Sequence, residues 1–221
     1  MSRFIAIGDV HGCYAELEKL LEQIKPTDQD KLLFLGDLVN RGPDSKRVLQ
    51  IARHYKAISL LGNHEWRLLS WYRLRDKNLL KSYDRTTIEM LDEDDWNYLA
   101  HMPLWHYEKE YDTVFVHGGF LPNQSWRTQT VSIVTEIQVI TPDGKPARRS
   151  QSPGSPIWAE QWKGPPFVVY GHIPRADIAR HPSALGLDTG CVFGGHLSAY
   201  ILPERNIVQV KAKRAYVQKK L

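Results

Sequence analysis

Short apolar runs alternate with amphipathic segments over the first part of the chain. Residues 4–7, 32–35 and 57–61 are almost wholly apolar, a pattern typical of strands that are buried on both faces. Between them, residues 14–24 and 45–54 carry apolar side chains at helical spacing, so each presents one face to a core. The order strand–helix–strand–helix–strand predicts a parallel sheet with helices on its faces.

The rest of the pattern predicts more strands and one long irregular segment. Residues 66–99 have a helical pattern. Between residues 121 and 166 the periodicity fades and Pro, Gly, Ser, Arg and Gln become common, which predicts a long substrate-facing loop. Short apolar runs predict strands that complete a second sheet, at residues 113–116, 167–170, 185–188, 197–202 and 207–210. We therefore expect an α/β fold.

Five of the predicted strands are followed by polar residues that can bind metals: Asp9 and His11, Asp37, Asn63 and His64, His117, and His172. A side chain at a strand exit suits a rigid ligand, because the sheet fixes it while the loop leaves it open. Carboxylate, imidazole and amide oxygen together suit first-row divalent ions rather than a thiolate zinc site. The set is too large for one open catalytic ion and fits two ions, about 3.5–4 Å apart, that share a bridging carboxylate.

These motifs together resemble those of a known family. The chain contains Gly8-Asp9-Val10-His11-Gly12, Gly36-Asp37-Leu38-Val39-Asn40-Arg41-Gly42, Gly62-Asn63-His64-Glu65, His117-Gly118-Gly119 and Gly171-His172. In this order they resemble the calcineurin-like metallophosphoesterases, and more narrowly the phosphoprotein phosphatases and their bacterial relatives. The resemblance implies a four-layer α/β/β/α sandwich, with two mixed sheets flanked by helices, as a single catalytic domain over residues 1–210.

The resemblance also implies a role for each motif residue. Asp9, His11 and Asp37 would bind the first ion, and Asp37 would bridge to a second ion held by Asn63, His117 and His172. Arg41 would hold the phosphate, together with Asn63 and His64, and His64 would protonate the leaving oxygen. A hydroxide that bridges the two ions would attack phosphorus in line. Mn²⁺ is the favoured metal, with Fe, Zn²⁺, Co²⁺ and Ni²⁺ as alternatives.

Two departures from the family pattern limit the transfer of these roles. Protein phosphatases carry Asp where this chain has Asn40, and that Asp pairs with the histidine acid. We expect Asn40 to accept a hydrogen bond through its amide oxygen, and activity to peak at lower pH because His64 is less easily kept protonated. Replacing Asn40 by Asp is expected to change the pH–rate profile. No motif places a second phosphate-binding arginine; Arg148 and Arg149 are the candidates.

The sequence leaves the substrate open between two classes. The lead interpretation is a serine/threonine protein phosphatase acting on phosphomonoesters, and Glu65 after Asn63-His64 is typical of that class. The alternative is a bis(5′-nucleosyl)-tetraphosphatase that hydrolyses diadenosine tetraphosphate, which residues 142–149, 168–172 and 187–195 resemble. That enzyme would stack adenine on aromatic side chains, for which the candidates are Trp66, Trp126, Trp158 and Trp162. A second alternative is a non-catalytic phosphate-binding protein on the same fold.

Charge and composition restrict the partners. The formal net charge is +4, but residues 211–221 carry five cations and no acid, which leaves −1 for the rest. We therefore expect a solvated basic C-terminal tail and no stable nucleic-acid complex. No apolar run reaches the ~20 residues of a membrane span, and the chain opens on a strand without a signal-peptide pattern. We expect a cytoplasmic, monomeric protein with phosphorylated protein or nucleotide as substrate, and with Cys13 and Cys191 reduced and buried.

Overall fold

The computed structural model describes residues 2–218 as a mixture of strands, helices and short 3₁₀ turns. The strands are β1 (Phe4–Ile7), β2 (Lys31–Phe34), β3 (Ile58–Ser59), β4 (Trp105–Glu108), β5 (Thr113–Val116), β6 (Val139–Ile140), β7 (Pro146–Ala147), β8 (Phe167–Tyr170), β9 (Ala179–His181), β10 (Ala184–Gly186), β11 (His196–Leu202) and β12 (Asn206–Lys211). The helices are α1 (Tyr14–Ile24), α2 (Ser45–His54), α3 (Asn63–Leu74), α4 (Asp84–Met90), α5 (Glu93–Ala100), α6 (Val131–Glu136) and α7 (Trp158–Gln161).

Two five-stranded sheets form the centre of the fold. The first has the order β12–β11–β1–β2–β3, in which β1, β2 and β3 are parallel and β11 runs antiparallel to β1. The second has the order β4–β5–β8–β10–β9, with β5, β8 and β10 parallel. In the parallel strands all carboxyl ends point the same way, so the loops that follow them meet at one edge.

Alternation along the strands divides the core into layers. Phe4 and Ala6 of β1 belong to a cluster that also contains Phe115 and Val169 of the other sheet, and the rings of Phe4 and Phe115 stack at 4.7 Å. The side chains on the opposite face of β1 pack with the helices α1, α2 and α3. On the outer side of the second sheet, Trp158 packs in a third cluster with α6. This is the predicted sandwich of two mixed sheets flanked by helices.

Several elements differ from the predicted ones. Strand β3 covers only residues 58–59, and β10 ends at Gly186. The strands predicted at 197–202 and 207–210 for the second sheet are instead β11 and β12 of the first, because β11 pairs antiparallel with β1. The edge strands β4 and β9 were not predicted, because their half-exposed sequences lack a continuous apolar run. The expected long loop at 121–166 contains α6, α7 and the β6–β7 pair, whose segments are too short to show a period.

The basic C-terminal segment lies on the body of the protein. The side chain of Glu16 in α1 is fully buried and accepts hydrogen bonds from the Lys213 amide at 3.0 Å and the Tyr216 hydroxyl at 3.0 Å. The cationic side chains of residues 211–214 remain exposed. The expectation of a solvated tail is therefore wrong for the backbone of residues 212–217, and residues 219–221 of that tail lie outside the described range. None of the described helices has the length and hydrophobicity of a membrane span.

Replacing Tyr216 by Phe removes a hydrogen bond from the buried Glu16 carboxylate. We expect the free energy of unfolding to fall by about 1–3 kcal/mol, because a buried charged acceptor loses a donor. Urea denaturation measures the change. Tyr55→Phe, at an exposed ring, is the matched control and should leave stability within about 0.5 kcal/mol of the wild type. Equal stability of both variants would contradict a docked C-terminal segment.

Candidate functional site

The predicted metal-binding residues meet where the carboxyl ends of five parallel strands come together. Asp9 and His11 follow β1, and Asp37 follows β2. Asn63 and His64 open α3, directly after the loop that leaves β3. The second sheet contributes His117 after β5 and His172 after β8. All seven predicted strand-exit residues therefore lie at one edge of the two sheets.

Asp37 lies between two groups of imidazoles. Its Oδ2 atom is 3.5 Å from His11 Nε2 and 3.9 Å from His64 Nε2, and its Oδ1 atom is 3.4 Å from His117 Nε2. Asp37 also forms, with His117 and His172, a second group whose ligand atoms lie within 4.8 Å of one another. A carboxylate with one oxygen toward each group has the arrangement that a bridging ligand requires.

Backbone carbonyls fix which imidazole nitrogen is available to an ion. Nδ1 of His117 lies 2.9 Å from the Leu35 carbonyl, and Nδ1 of His11 lies 3.0 Å from the Val39 carbonyl. Because a carbonyl only accepts, both Nδ1 atoms carry the proton and both Nε2 lone pairs point into the site. Asn63 Oδ1 is 3.1 Å from His117 Nε2, so the amide oxygen faces the same space.

The electrostatics of the site fit divalent cations. Burial, together with the nearby Asp188 and Asp37 carboxylates, raises the pKa of Asp9 well above its usual range. Burial also raises the pKa of Asp37 to about 6. Burial lowers the pKa of His117 and of His172 to about 3, so both rings are neutral at pH 7, which is the form that binds metals. Crowded buried carboxylates beside neutral imidazoles suit bound divalent ions.

Backbone strain is concentrated at this edge. Among residues 2–218, ten non-glycine residues have positive φ, and five of these lie here, namely His11 at 47°, Asp37 at 50°, Asn40 at 73°, Arg41 at 71° and His172 at 64°. Such conformations cost about 1–3 kcal/mol each and persist where the surroundings enforce them, typically at functional sites. Their coincidence with the predicted residues supports a functional role for this edge.

Glu65 holds the loop that carries Asp37. It is fully buried, and its carboxylate accepts hydrogen bonds from the amides of Asp37 at 3.0 Å, Leu38 at 2.8 Å and Val39 at 3.1 Å. A Cβ atom on Gly62 would collide with both the Asp37 and the Glu65 carboxylates, so glycine is needed there. The role of Glu65 is therefore to position the loop that carries Asp37.

The surroundings of His64 differ from the expected ones. The amide nitrogen of Asn40, not its oxygen, faces His64 Nδ1 at 3.0 Å, because the same nitrogen also donates to Asp84 Oδ1 at 2.9 Å. The expectation that Asn40 accepts through its oxygen is therefore wrong. The ring of Tyr83 stacks on His64 at 5.4 Å. No motif pointed to Tyr83 or Asp84, which lie 19 and 20 residues beyond His64 within the segment of helical pattern.

The two candidate arginines of the long loop have different environments. Arg148 is exposed and pairs with the carboxylate of Glu136. Arg149 is half-buried, and its backbone amide donates to Gln138 Oε1 at 3.0 Å. The other end of the Gln138 amide lies 3.4 Å from His172 Nε2, so Arg149 is attached next to the site. Burial and the nearby Arg175, which the sequence did not single out, lower the pKa of Arg149.

The tryptophans that were candidates for adenine stacking are mostly core residues. Trp126, Trp158 and Trp162 are at most 7% exposed and pack in the cluster outside the second sheet. Trp66, a residue of α3, is half-buried and packs against the core cluster on the helical side of the first sheet. The aromatic side chains beside the site are instead Tyr83 and Phe193, whose ring centroids lie 5.6 and 5.4 Å from the Arg41 guanidinium. The expectation of tryptophan stacking is not supported by this packing.

Replacing Glu65 by Gln tests its positioning role. The glutamine amide keeps the shape but offers only one oxygen to the backbone donors, so we expect a loss of about 1–3 kcal/mol in the free energy of unfolding. Glu89→Gln, at an exposed position of α4, is the control. Unfolding in urea measures both, and a stable Glu65→Gln variant would contradict this role.

The comparisons with known proteins agree with this geometry. The family model of the calcineurin-like phosphoesterases matches residues 2–208. A bis(5′-nucleosyl)-tetraphosphatase PrpE [asymmetrical] from Oceanobacillus iheyensis is 31% identical, over 97% of this chain and 94% of its own. The protein of the same name from Bacillus thuringiensis is 29% identical, over 99% and 98%.

Two solved structures also resemble this chain over nearly its whole length. The crystal structure of a putative diadenosine tetraphosphatase superposes with a TM-score of 0.84 at 31% identity, covering 96% of this chain and 94% of that one. A serine/threonine phosphatase from Saccharomyces cerevisiae superposes at 0.62 with 15% identity, covering 99% and 81%, which supports the fold alone. The chain belongs to the calcineurin-like phosphoesterase family and is a phosphoester hydrolase.

Proposed function

We propose that this enzyme hydrolyses dinucleoside polyphosphates and cleaves diadenosine tetraphosphate asymmetrically. The observation that carries the proposal is the end-to-end match to tetraphosphatases, at about 30% identity over more than nine-tenths of both chains. The crystal structure of a putative diadenosine tetraphosphatase, which matches this chain at 31% identity over similar shares of both chains, also supports it. The serine/threonine phosphatase favoured from the sequence finds support only in the fold, at 15% identity. A non-catalytic role does not fit a family of hydrolases.

The residues at the sheet edge would hold two divalent ions. We assign Asp9, His11 and Asp37 to the first ion, and Asp37 with Asn63, His117 and His172 to the second. In support, Asp37 groups with His11 on one side and with His117 and His172 on the other. Mn²⁺ is the proposed metal, since carboxylate, imidazole and amide oxygen suit it. Bound ions of this kind acidify a shared water and offset the negative charge of phosphate oxygens.

The side chains around the ions would bind and orient the phosphate chain. Arg41 donates to His11 Nε2 at 2.8 Å, and its guanidinium lies between the rings of Tyr83 and Phe193. An ion on His11 Nε2 would free that guanidinium to bind two phosphate oxygens. Arg149, half-buried beside His172, would bind a neighbouring phosphate of the chain. His64 Nε2 faces the space beside Asp37, where the leaving oxygen would lie.

A comparison of substrates tests the proposed function directly. With Mn²⁺ present we expect kcat/KM to be at least tenfold higher for diadenosine tetraphosphate than for a phosphoserine peptide, a preference of about 1.4 kcal/mol. Asymmetrical cleavage predicts one mononucleotide and one nucleoside triphosphate, and chromatography separates these from two diphosphates. Asp37→Asn is the inactive control. A tenfold preference for the peptide would contradict the proposal.

Substituting Arg149 tests whether it binds the substrate, and the same substitution at Arg148 is the matched control. Arg149→Ala should raise the KM for diadenosine tetraphosphate about tenfold or more, because a charge-assisted hydrogen bond to phosphate contributes about 1.5–3 kcal/mol. Arg148→Ala should change KM less than about twofold, since its charge is already paired with Glu136. Initial-rate kinetics measure both. Equal effects of the two substitutions would show that Arg149 does not bind the substrate.

A further inference from the structure

Nδ1 of His64 faces two groups that can only donate hydrogen bonds. The Arg67 guanidinium lies 3.3 Å from it, and the Asn40 amide nitrogen lies 3.0 Å from it. A guanidinium has no acceptor, so Nδ1 must offer its lone pair to Arg67. The proton of the neutral ring is therefore on Nε2, which lies 3.9 Å from Asp37 Oδ2.

Asp84 fixes the orientation of the Asn40 amide. Asp84 is fully buried and accepts hydrogen bonds from Arg67 at 2.8 and 2.9 Å and from the Lys81 amide at 2.7 Å. Its Oδ1 atom also accepts from Asn40 Nδ2 at 2.9 Å. Turning the amide over would place its oxygen against this carboxylate. The Asn40 oxygen is buried and has no hydrogen-bond partner among the described residues, which is unfavourable. The hydrogen bond from the Asn40 amide nitrogen to the Asp84 carboxylate outweighs this unfavourable contribution.

In this arrangement His64 can donate a hydrogen bond from Nε2 but cannot transfer that proton. The stacked ring of Tyr83 holds the plane of the imidazole, and Nε2–H faces the space beside Asp37, where the leaving oxygen would lie. It can donate a hydrogen bond there. Losing that proton would leave an anionic ring, because Nδ1 carries none. Among the described residues, the groups hydrogen-bonded to Nδ1 are the donors Asn40 and Arg67, with no carboxylate to stabilise a proton there. His64 therefore keeps its proton.

We propose that Asn40, Arg67 and Asp84 are positioning residues that restrict the enzyme to leaving groups that depart without a proton. In the reaction the oxygen of water bonds to phosphorus, and the bond from phosphorus to the leaving oxygen breaks with its electron pair on that oxygen. A nucleotide phosphate or an aryl oxide carries this charge readily, whereas the alkoxide of serine needs a proton. The substrate class is thus phosphoanhydrides and aryl phosphates. The proposal rests on the proposed function for the anhydride substrate only.

The test uses a series of leaving groups and a reciprocal exchange of two residues. Diadenosine tetraphosphate, aryl phosphates of graded acidity and a phosphoserine peptide are compared with Mn²⁺ present. The Asn40→Asp/Asp84→Asn variant keeps the charge of the cluster but gives Nδ1 of His64 an anionic acceptor. Asn40→Asp alone would place two carboxylates against each other, so Asp84→Asn alone is the matched single variant. Nitrogen NMR of the metal-free protein reports which His64 nitrogen carries the proton, independently of activity.

For the wild type we expect a steep rise of kcat/KM with leaving-group acidity and at least about a 100-fold disadvantage for the alkyl ester, the size of a missing general acid. The exchange should reduce that disadvantage at least about tenfold and place a proton on Nδ1 of His64, so that the ring can carry protons on both nitrogens and give up the one on Nε2 without becoming anionic. Asp84→Asn alone should not. A wild-type proton on Nδ1, or alkyl and aryl esters hydrolysed at similar rates, would overturn the inference. A steep rise of kcat/KM with leaving-group acidity among the aryl phosphates, without hydrolysis of diadenosine tetraphosphate, would overturn the proposed function and support this inference.

Discussion

The site depends on the buried carboxylate of Asp37 and on what surrounds it. The Asp37 carboxylate lies at the end of a central strand with an imidazole beside each oxygen, and burial, partly offset by the charge of Arg41, raises its pKa to about 6. A buried charge of this kind is unfavourable unless it is paired. Glu65 fixes the strained loop that carries it by accepting from three consecutive amides. Two bound cations would turn this unfavourable arrangement into a stable one and would place positive charge at the substrate phosphate.

The architecture explains how distant residues reach this carboxylate. Strands β1, β2 and β3 belong to one sheet and β5 and β8 to the other, and the inter-sheet core aligns their carboxyl ends. Each loop therefore needs only one or two polar residues to complete the site. The helices on the outer faces contribute packing, and α3 also supplies Asn63 and His64 from its first turn.

The residues at the strand exits could be predicted because their positions follow from local pattern. An apolar run followed by Gly-Asp, or by His-Gly, identifies both the strand and the side chain at its end, and the fold then brings the ends together. The environment of His64 could not be predicted in this way. It depends on Tyr83 and Asp84, which belong to no motif of the helical segment 66–99, and on which end of the Asn40 amide faces Asp84. Likewise, the docking of residues 212–217 depends on one buried acid, Glu16, far away in the sequence.

Whether two ions share the Asp37 carboxylate is tested most directly by measuring the number of bound Mn²⁺ ions together with their electron paramagnetic resonance spectrum. The account predicts that the wild type binds two Mn²⁺ ions per chain with an exchange-coupled spectrum, since a bridging carboxylate brings the ions to about 4 Å. Asp37→Asn should lose the coupling and bind at least one ion more weakly, while its fold is retained. A wild type that binds a single ion, or two ions without coupling, would contradict the account.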